Sequence, residues 1–92
     1  MSIGLNIAEG AGEFSKLEKA RFYRIARRSA TECVAILNAC VRAEFLPIEQ
    51  AVTGRKLLYR VVAMLTRLIL KLEQAVAAQR TSSKAGSRNN AD

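Results

Sequence analysis

Apolar side chains recur at three- and four-residue steps through most of this chain, which is the spacing of one face of an α-helix. The two longest runs predict a helix over 16–44 and a helix over 48–78, and a short run predicts a third helix over 2–11. Residues 80–92 lack apolar periodicity and are rich in small polar side chains, so we expect a disordered tail there. The pattern therefore predicts a single all-α domain over residues 1–79.

Each long helix carries one apolar stripe, and the two stripes would pack together as an antiparallel hairpin. The stripe of the helix over 16–44 consists of Phe22, Ile25, Ala26, Ser29, Cys33, Ile36, Leu37 and Cys40. The stripe of the helix over 48–78 consists of Leu57, Leu58, Val61, Leu65, Leu68, Ile69, Leu72 and Val76.

Local signals indicate where these helices begin and end. Ser15 is the expected N-cap of the first long helix, and Glu18 completes an S-x-x-E capping box. Pro47 ends that helix or opens the next one, because proline is tolerated only in a first helical turn. Gly10 and Gly12 would supply the left-handed or flexible positions that close the short helix. Gly54 weakens the last helix by about 1 kcal/mol relative to alanine.

The hairpin would leave apolar surface exposed unless another subunit covers it. A chain of 92 residues buries only about 60–65% of its surface on folding, and a helix as short as 2–11 is marginal by itself. Tyr59, Ala63 and Leu70 form a second apolar patch away from the main stripe. We expect this patch to be a subunit interface, so that oligomerisation completes the helical bundle.

The charge balance is strongly basic, with 15 Lys and Arg against 8 Asp and Glu and a formal net charge of +7. Such a charge suits phosphate backbones or an acidic protein partner, and it is equally consistent with solubility alone. The few aromatic residues disfavour a base-stacking platform. The candidate nucleic-acid-binding residues lie on the polar faces of the long helices: Arg21, Arg24, Arg27, Arg28, Arg60, Arg67 and Lys71.

The sequence offers no catalytic or metal-binding constellation and no cofactor motif. It contains no histidine, which is the commonest general base and metal ligand. Cys33 and Cys40 are separated by about 10 Å of helical rise, too far for a disulfide, and fall on the apolar stripe. We therefore expect a non-enzymatic protein in a reducing, cytoplasmic setting. Neither a signal peptide nor an uncharged apolar run long enough to span a membrane is present.

Three stretches together resemble a known family. They are S-I-x-x-N-I-A-E-G at Ser2–Gly10, F-x-x-x-A-R-x-S-x-x-E at Phe22–Glu32, and M-L-T-R-L-I at Met64–Ile69. The combination resembles the four-helix-bundle proteins encoded by intervening sequences of bacterial 23S rRNA genes, a family that includes the accessory variability protein of diversity-generating retroelements. Its structural signature falls here on Asn6, Glu9, Gly10, Ser29 and Glu32.

The resemblance implies an up-and-down helical bundle without enzymatic activity. It also implies rings of five subunits, and for the accessory members a basic surface that binds nucleic acid and a partner reverse transcriptase. The family has a complete first helix and most of a second before the Ser2–Gly10 motif, so we expect a truncated bundle in which a dimer could replace the ring. Gly4 stands where the family has proline, and Arg28 where it favours glycine.

Two functions remain open from the sequence. One is a non-catalytic accessory or scaffold protein that binds nucleic acid or a ribonucleoprotein through basic helix faces. The other is a helical homo-oligomeric protein-interaction module with no nucleic-acid role. Two roles also remain open for Glu32, which is either a solvated charge at the edge of the apolar stripe or a partly buried partner of an arginine. The same question applies to Asn6 and Glu9, which could also cap their helix end or bridge to a neighbouring helix.

Overall fold

The computed structural model describes the backbone of residues 2–13 and 15–90, and side chains as far as residue 82. Three helices follow one another: α1 (Ile3–Gly12), α2 (Lys16–Arg42) and α3 (Ile48–Asn90). No strand occurs among these residues, so the all-α prediction is confirmed. The helices α2 and α3 form an antiparallel hairpin, since Arg24 contacts Glu73 near one end and Asn38 contacts Arg55 near the other.

The helix α1 begins as a capped helix and ends without a left-handed residue. The Ser2 hydroxyl accepts a hydrogen bond from the Leu5 amide at 3.1 Å, and the Asn6 side-chain amide donates to the Ser2 carbonyl at 2.7 Å. Among the described residues no glycine has a positive φ, and the capping residue Glu13 is extended. Neither Gly10 nor Gly12 is therefore left-handed, which corrects that part of the prediction. Gly12 is the last residue of α1, and Gly10 lies within the helix, where a buried contact explains it.

The N-terminus of α2 confirms the predicted cap and corrects the predicted capping box. The Ser15 hydroxyl accepts from the Glu18 amide at 3.3 Å. The Glu18 carboxylate turns to Arg21, at 3.0 Å, and the Ser15 amide donates to the Glu13 carboxylate at 3.2 Å. The reciprocal half of the box is thus supplied by the residue two positions upstream of Ser15.

A Schellman motif ends α2 at Arg42, two residues before the predicted end at Glu44. The Phe45 amide donates to the Cys40 carbonyl at 2.9 Å, and the Glu44 amide donates to the Val41 carbonyl at 3.0 Å. Glu44 itself adopts a φ of 62°, which is the left-handed conformation that glycine normally supplies in this motif. Of the two roles left open for Pro47, the structure has it opening α3, because its carbonyl accepts from the Ala51 amide at 3.2 Å.

The helix α3 continues well past its predicted end at Ala78, through Asn90. The predicted disordered tail is therefore helical over 80–90, while Ala91 and Asp92 lie outside the described residues. The segment after Ala78 contains no proline, and its serine and threonine are only mildly unfavourable in a helix. The Thr81 hydroxyl donates back to the Ala77 carbonyl at 3.0 Å, which removes its competition with the helical ladder.

The core lies between α2 and α3, and α1 packs against its edge. Tyr23 and Ala26 of α2 pack with Leu65 and Ile69 of α3, and the surrounding half-buried side chains are Ile3, Ile7, Val61, Leu68 and Leu72. Tyr23, Ala20, Ala30 and Ala51 are buried although the predicted stripes omitted them. Small alanines in these positions allow the helix axes to approach closely.

Two residues of the predicted stripes are exposed instead of buried, namely Ile36 at 52% and Leu57 at 55%. For Ile36, the reason is the length of α1. Its 10 residues extend about 15 Å, whereas the 27 residues of α2 extend about 40 Å. Gly10 contacts Phe22 and Tyr23, so α1 covers only the N-terminal half of α2. Ile36 lies beyond its reach.

The molecule is elongated, with extents of 70 × 18 × 15 Å and a radius of gyration of 18.6 Å. A compact domain of this length would have a radius of gyration of about 12 Å. Its accessible surface of 6709 Å² exceeds by about 1,400 Å² the surface of about 5,300 Å² expected for a compact 10.1-kDa monomer. The excess reflects the elongated shape of the hairpin.

Candidate interaction surfaces

The cations predicted on α2 are mostly engaged within the chain. Arg21 pairs with Glu18 at 3.0 Å and lies over the Phe22 ring, 4.9 Å from its centroid. Arg24 reaches Glu73 at 3.4 Å. Arg27 donates to the Thr66 hydroxyl at 3.3 Å in a partly buried contact between α2 and α3. Arg24 and Arg27 therefore link α2 to α3, whereas Arg21 is engaged within α2, and only part of the charge of these residues faces solvent.

The α3 cations Arg60, Arg67 and Lys71, here called the basic stripe, are all exposed. The ion pairs found among the described side chains join Glu18 to Arg21 and Arg24 to Glu73, so none involves the stripe. The sequence of α3 contains no Asp or Glu between Glu49 and Glu73. This stretch of α3 is a purely cationic surface.

The basic stripe faces away from α2. Arg60 lies five residues before Leu65, and Arg67 and Lys71 lie two residues on either side of Ile69. Leu65 and Ile69 are buried against α2. At about 100° per residue, the stripe is rotated roughly 140–160° from these buried side chains.

The predicted basic residues consequently do not form one continuous site. Arg28, which is exposed, lies two residues from both Ala26 and Ala30 and so faces away from the core on α2. The outward faces of two packed helices lie on opposite sides of the hairpin. The structure thus brings Arg60, Arg67 and Lys71 together and separates them from the α2 cations.

The family-signature residues are structural in different ways. Gly10 is buried, and an added Cβ would lie 2.6 Å from Cε1 of Tyr23. Ser29 is also buried, at 7% exposure. Asn6 binds the first turn of its own helix. Glu9 and Glu32 are exposed, and neither belongs to an ion pair found among the described side chains. Of their two open roles, the structure favours solvated charges.

The second apolar patch on α3 is exposed, as its distance from the main stripe indicated. Tyr59 is 57% exposed and Leu70 50% exposed, and Ala63 between them is also exposed. Val52 and Ile48 continue the same side of the helix toward its N-terminus, at 36% and 57% exposure. Sequence reasoning found the centre of this patch but not its extension.

One cation of structural interest was missing from the prediction. Arg55 donates from Nη1 to the Asn38 side-chain oxygen at 2.9 Å, in a partly buried contact. Both line a shallow depression of about 320 Å³ near the turn of the hairpin, together with Val41, Arg42 and Ile48. The available signal was the position of Arg55 directly after Gly54, where α3 closely approaches Leu37 of α2.

No cluster of three metal-ligating side chains occurs in the part of the chain that the structure describes. Cys33 and Cys40 are both half-buried, in keeping with their expected role as small apolar groups. Within the same residues, no helix is both long and apolar enough to cross a membrane.

Comparison with known families identifies one relationship. The family model described as 23S rRNA-intervening sequence protein matches residues 1–67, which include α1, α2 and the N-terminal part of α3. Neither the curated proteins nor the solved structures gave a match. Since the matched residues are well over half of the chain, this chain belongs to the 23S rRNA-intervening sequence protein family.

Proposed function

We propose that this protein is a non-catalytic accessory or scaffold protein that binds nucleic acid through the basic stripe of α3. The observation that carries the proposal is the exposure of Arg60, Arg67 and Lys71 on a helix face without acidic residues. Arg60 and Lys71 are separated by about 16 Å along the helix axis, a length that contains about five phosphates of one duplex strand. Contacts of this kind fix position on a backbone and do not read sequence.

A non-catalytic role is supported by the residues available for chemistry. The sequence has no histidine, so the commonest general base is absent. The conspicuous carboxylates Glu18 and Glu73 are engaged with arginines, which suits structural pairing. The family resemblance points the same way.

Salt dependence of binding tests the proposal. A 20-base-pair DNA duplex of arbitrary sequence serves as the probe, and fluorescence anisotropy measures its affinity between 50 and 200 mM KCl. Three phosphate contacts predict a slope of log K against log salt of about −2.7, which is a loss of about 40-fold over this range. The variant with Arg60, Arg67 and Lys71 all changed to glutamine should lose most of that slope.

The matched control is the variant with Arg21, Arg24 and Arg28 changed to glutamine, because it removes the same net charge from α2. It should keep most of the affinity and slope. Equal losses in both variants would show that net charge alone attracts the duplex. Absence of binding at 50 mM KCl would reject nucleic-acid binding altogether.

A second candidate is a helical homo-oligomeric protein-interaction module, and a specific observation favours it. The chain exposes about 1,400 Å² more than a compact monomer of its mass, and large apolar side chains such as Tyr59 and Leu70 are part of that surface. Nuclease-insensitive capture of a defined protein would favour this candidate over the first.

A further inference from the structure

The exposed apolar patch of α3 belongs to a longer seam with coiled-coil spacing. Beginning at Val52, positions separated alternately by four and three residues follow one side of the helix. They are Val52, Lys56, Tyr59, Ala63, Thr66, Leu70, Glu73 and Ala77, here called the Tyr59 seam. Thr66 is half-buried, and the other members are exposed.

The Tyr59 seam is distinct from both the packed face and the basic stripe. Leu70 lies five residues after the buried Leu65, and Arg60 lies five residues before it. At about 100° per residue, the two are rotated by roughly 140° from Leu65 in opposite senses. A helix could therefore dock on the seam without displacing α2 and without covering Arg60.

We propose that the Tyr59 seam is an interface between two copies of this chain, in which the two α3 helices pack antiparallel. The seam is self-complementary about a point between Met64 and Leu65. Each copy's Tyr59 would face Leu70 of the other copy, and its Ala63 would face Thr66. The small side chains at the centre permit close approach, and the large apolar pairs flank them on both sides.

The charges of the seam select the antiparallel arrangement. The same centre places Lys56 of each copy opposite Glu73 of the other, so a two-fold pair contains this attraction twice. A parallel, in-register pair would instead set Lys56 against Lys56 and Glu73 against Glu73, which is repulsive at both ends. The weak 3.4 Å contact of Glu73 with Arg24 leaves its carboxylate available to a second cation.

The seam is long enough for a standard interface, which buries about 800 Å² on each partner. From Val52 to Ala77 the seam extends about 38 Å along α3. The partner is a second copy of this chain, because the seam read in the reverse direction places large apolar positions opposite each other, small positions opposite each other, and Lys56 opposite Glu73.

The pairing would also join the basic stripes of the two copies. The two-fold axis of an antiparallel pair is perpendicular to both helices and passes between them. Features on one side of the α3 pair in one copy therefore lie on the same side in the other copy. Both α2 helices would lie on one side, and both sets of Arg60, Arg67 and Lys71 on the opposite side.

The inference rests on the seam itself and not on nucleic-acid binding, so the two can fail separately. Sedimentation equilibrium of the full chain without nucleic acid, between 1 and 100 µM, should give a dimer. Leu70→Glu should weaken the dimer at least about 100-fold, since it sets a charge against Tyr59 in two symmetric layers. Leu57→Glu is the matched control, because Leu57 is 55% exposed on the other side of α3. This variant should dimerise normally.

Charge reversal tests the direction of the pair. Lys56→Glu and Glu73→Lys should each weaken dimerisation about tenfold or more, and the double variant should restore it. Circular dichroism confirms that each variant keeps its helicity. The proposal is overturned by a wild-type monomer at 100 µM, by a dimer that tolerates Leu70→Glu, by one that fails with Leu57→Glu, or by absence of rescue in the double variant.

Discussion

Replacing Gly10 by alanine should destabilise the protein even though alanine is the better helix former. Gly10 lies inside α1, where the substitution would ordinarily gain about 1 kcal/mol. The added Cβ would lie 2.6 Å from Cε1 and 2.9 Å from Cδ1 of Tyr23, and 3.3 Å from Cβ of Phe22. Tyr23 is 7% exposed and packs against Leu65 and Ile69, so its ring cannot retreat without disturbing the core.

Overpacking of this kind costs about 1–3 kcal/mol, which exceeds the gain in helix propensity. We therefore expect Gly10→Ala to be less stable than the wild type by about 1 kcal/mol. The matched control is Gly4→Ala in the same helix, where nothing lies within 4 Å of the added Cβ. That variant should be more stable by up to about 1 kcal/mol.

Thermal unfolding followed by circular dichroism at a fixed protein concentration measures both effects. A change of 1 kcal/mol shifts the midpoint by about 4–8 °C in a domain of this size, so the two variants should differ clearly. Tyr23→Leu removes the ring and should abolish the penalty of Gly10→Ala in a double-mutant cycle. A Gly10→Ala variant that melts at or above the wild-type temperature would refute the assignment of Gly10 to close packing.

Two further substitutions test the turn and the core. Glu44→Gly should stabilise the protein by about 1 kcal/mol in urea unfolding, because Glu44 has a φ of 62°. The control Ala43→Gly, at a φ of −83°, should give no gain, and equal effects of the two substitutions would contradict the argument. Leu65→Ala should cost about 2–5 kcal/mol since Leu65 is fully buried, whereas Leu57→Ala at 55% exposure should cost far less, and a small effect at Leu65 would place the core elsewhere.

The order, type and direction of the helices could be predicted from local signals. The N-cap at Ser15 and the opening role of Pro47 depend on residues within one turn of the chain. Each long apolar stripe requires a partner to cover it, and the short turn between the two helices makes them antiparallel partners of each other. These features are local, so a single sequence contains them.

The burial of individual residues could not be predicted, because it depends on how far each helix extends along its neighbour. Ile36 has the periodicity of a core residue and is exposed, since α1 ends too soon to cover it. Tyr23 falls beside the predicted stripe and is buried, since Gly10 leaves room for its ring. The stop signal read from Gly10 failed for the same reason. Glycine serves both left-handed turns and close approach, and only the neighbouring helix distinguishes them.

The basic residues illustrate the same limit. Arg27 and Arg67 look alike in the sequence, yet Arg27 is turned between the helices toward Thr66 and Arg67 is exposed. Helical periodicity gives the direction of each side chain around the axis of its own helix. It does not give the orientation of one helix relative to the other, on which a surface shared by two helices depends.

The helix α3 is best understood as a helix with three faces. Leu65 lies on the face packed against α2, Arg60 on the basic stripe, and Leu70 on the Tyr59 seam. Rotations of about 140° either way from Leu65 separate the Tyr59 seam and the basic stripe from the packed face, and about 80° lies between the seam and the stripe. A helix packed on only one neighbour normally places polar residues on all of its remaining surface. The exposed Tyr59 and Leu70 depart from that rule, and an antiparallel partner on that side accounts for them while leaving the cations in solvent.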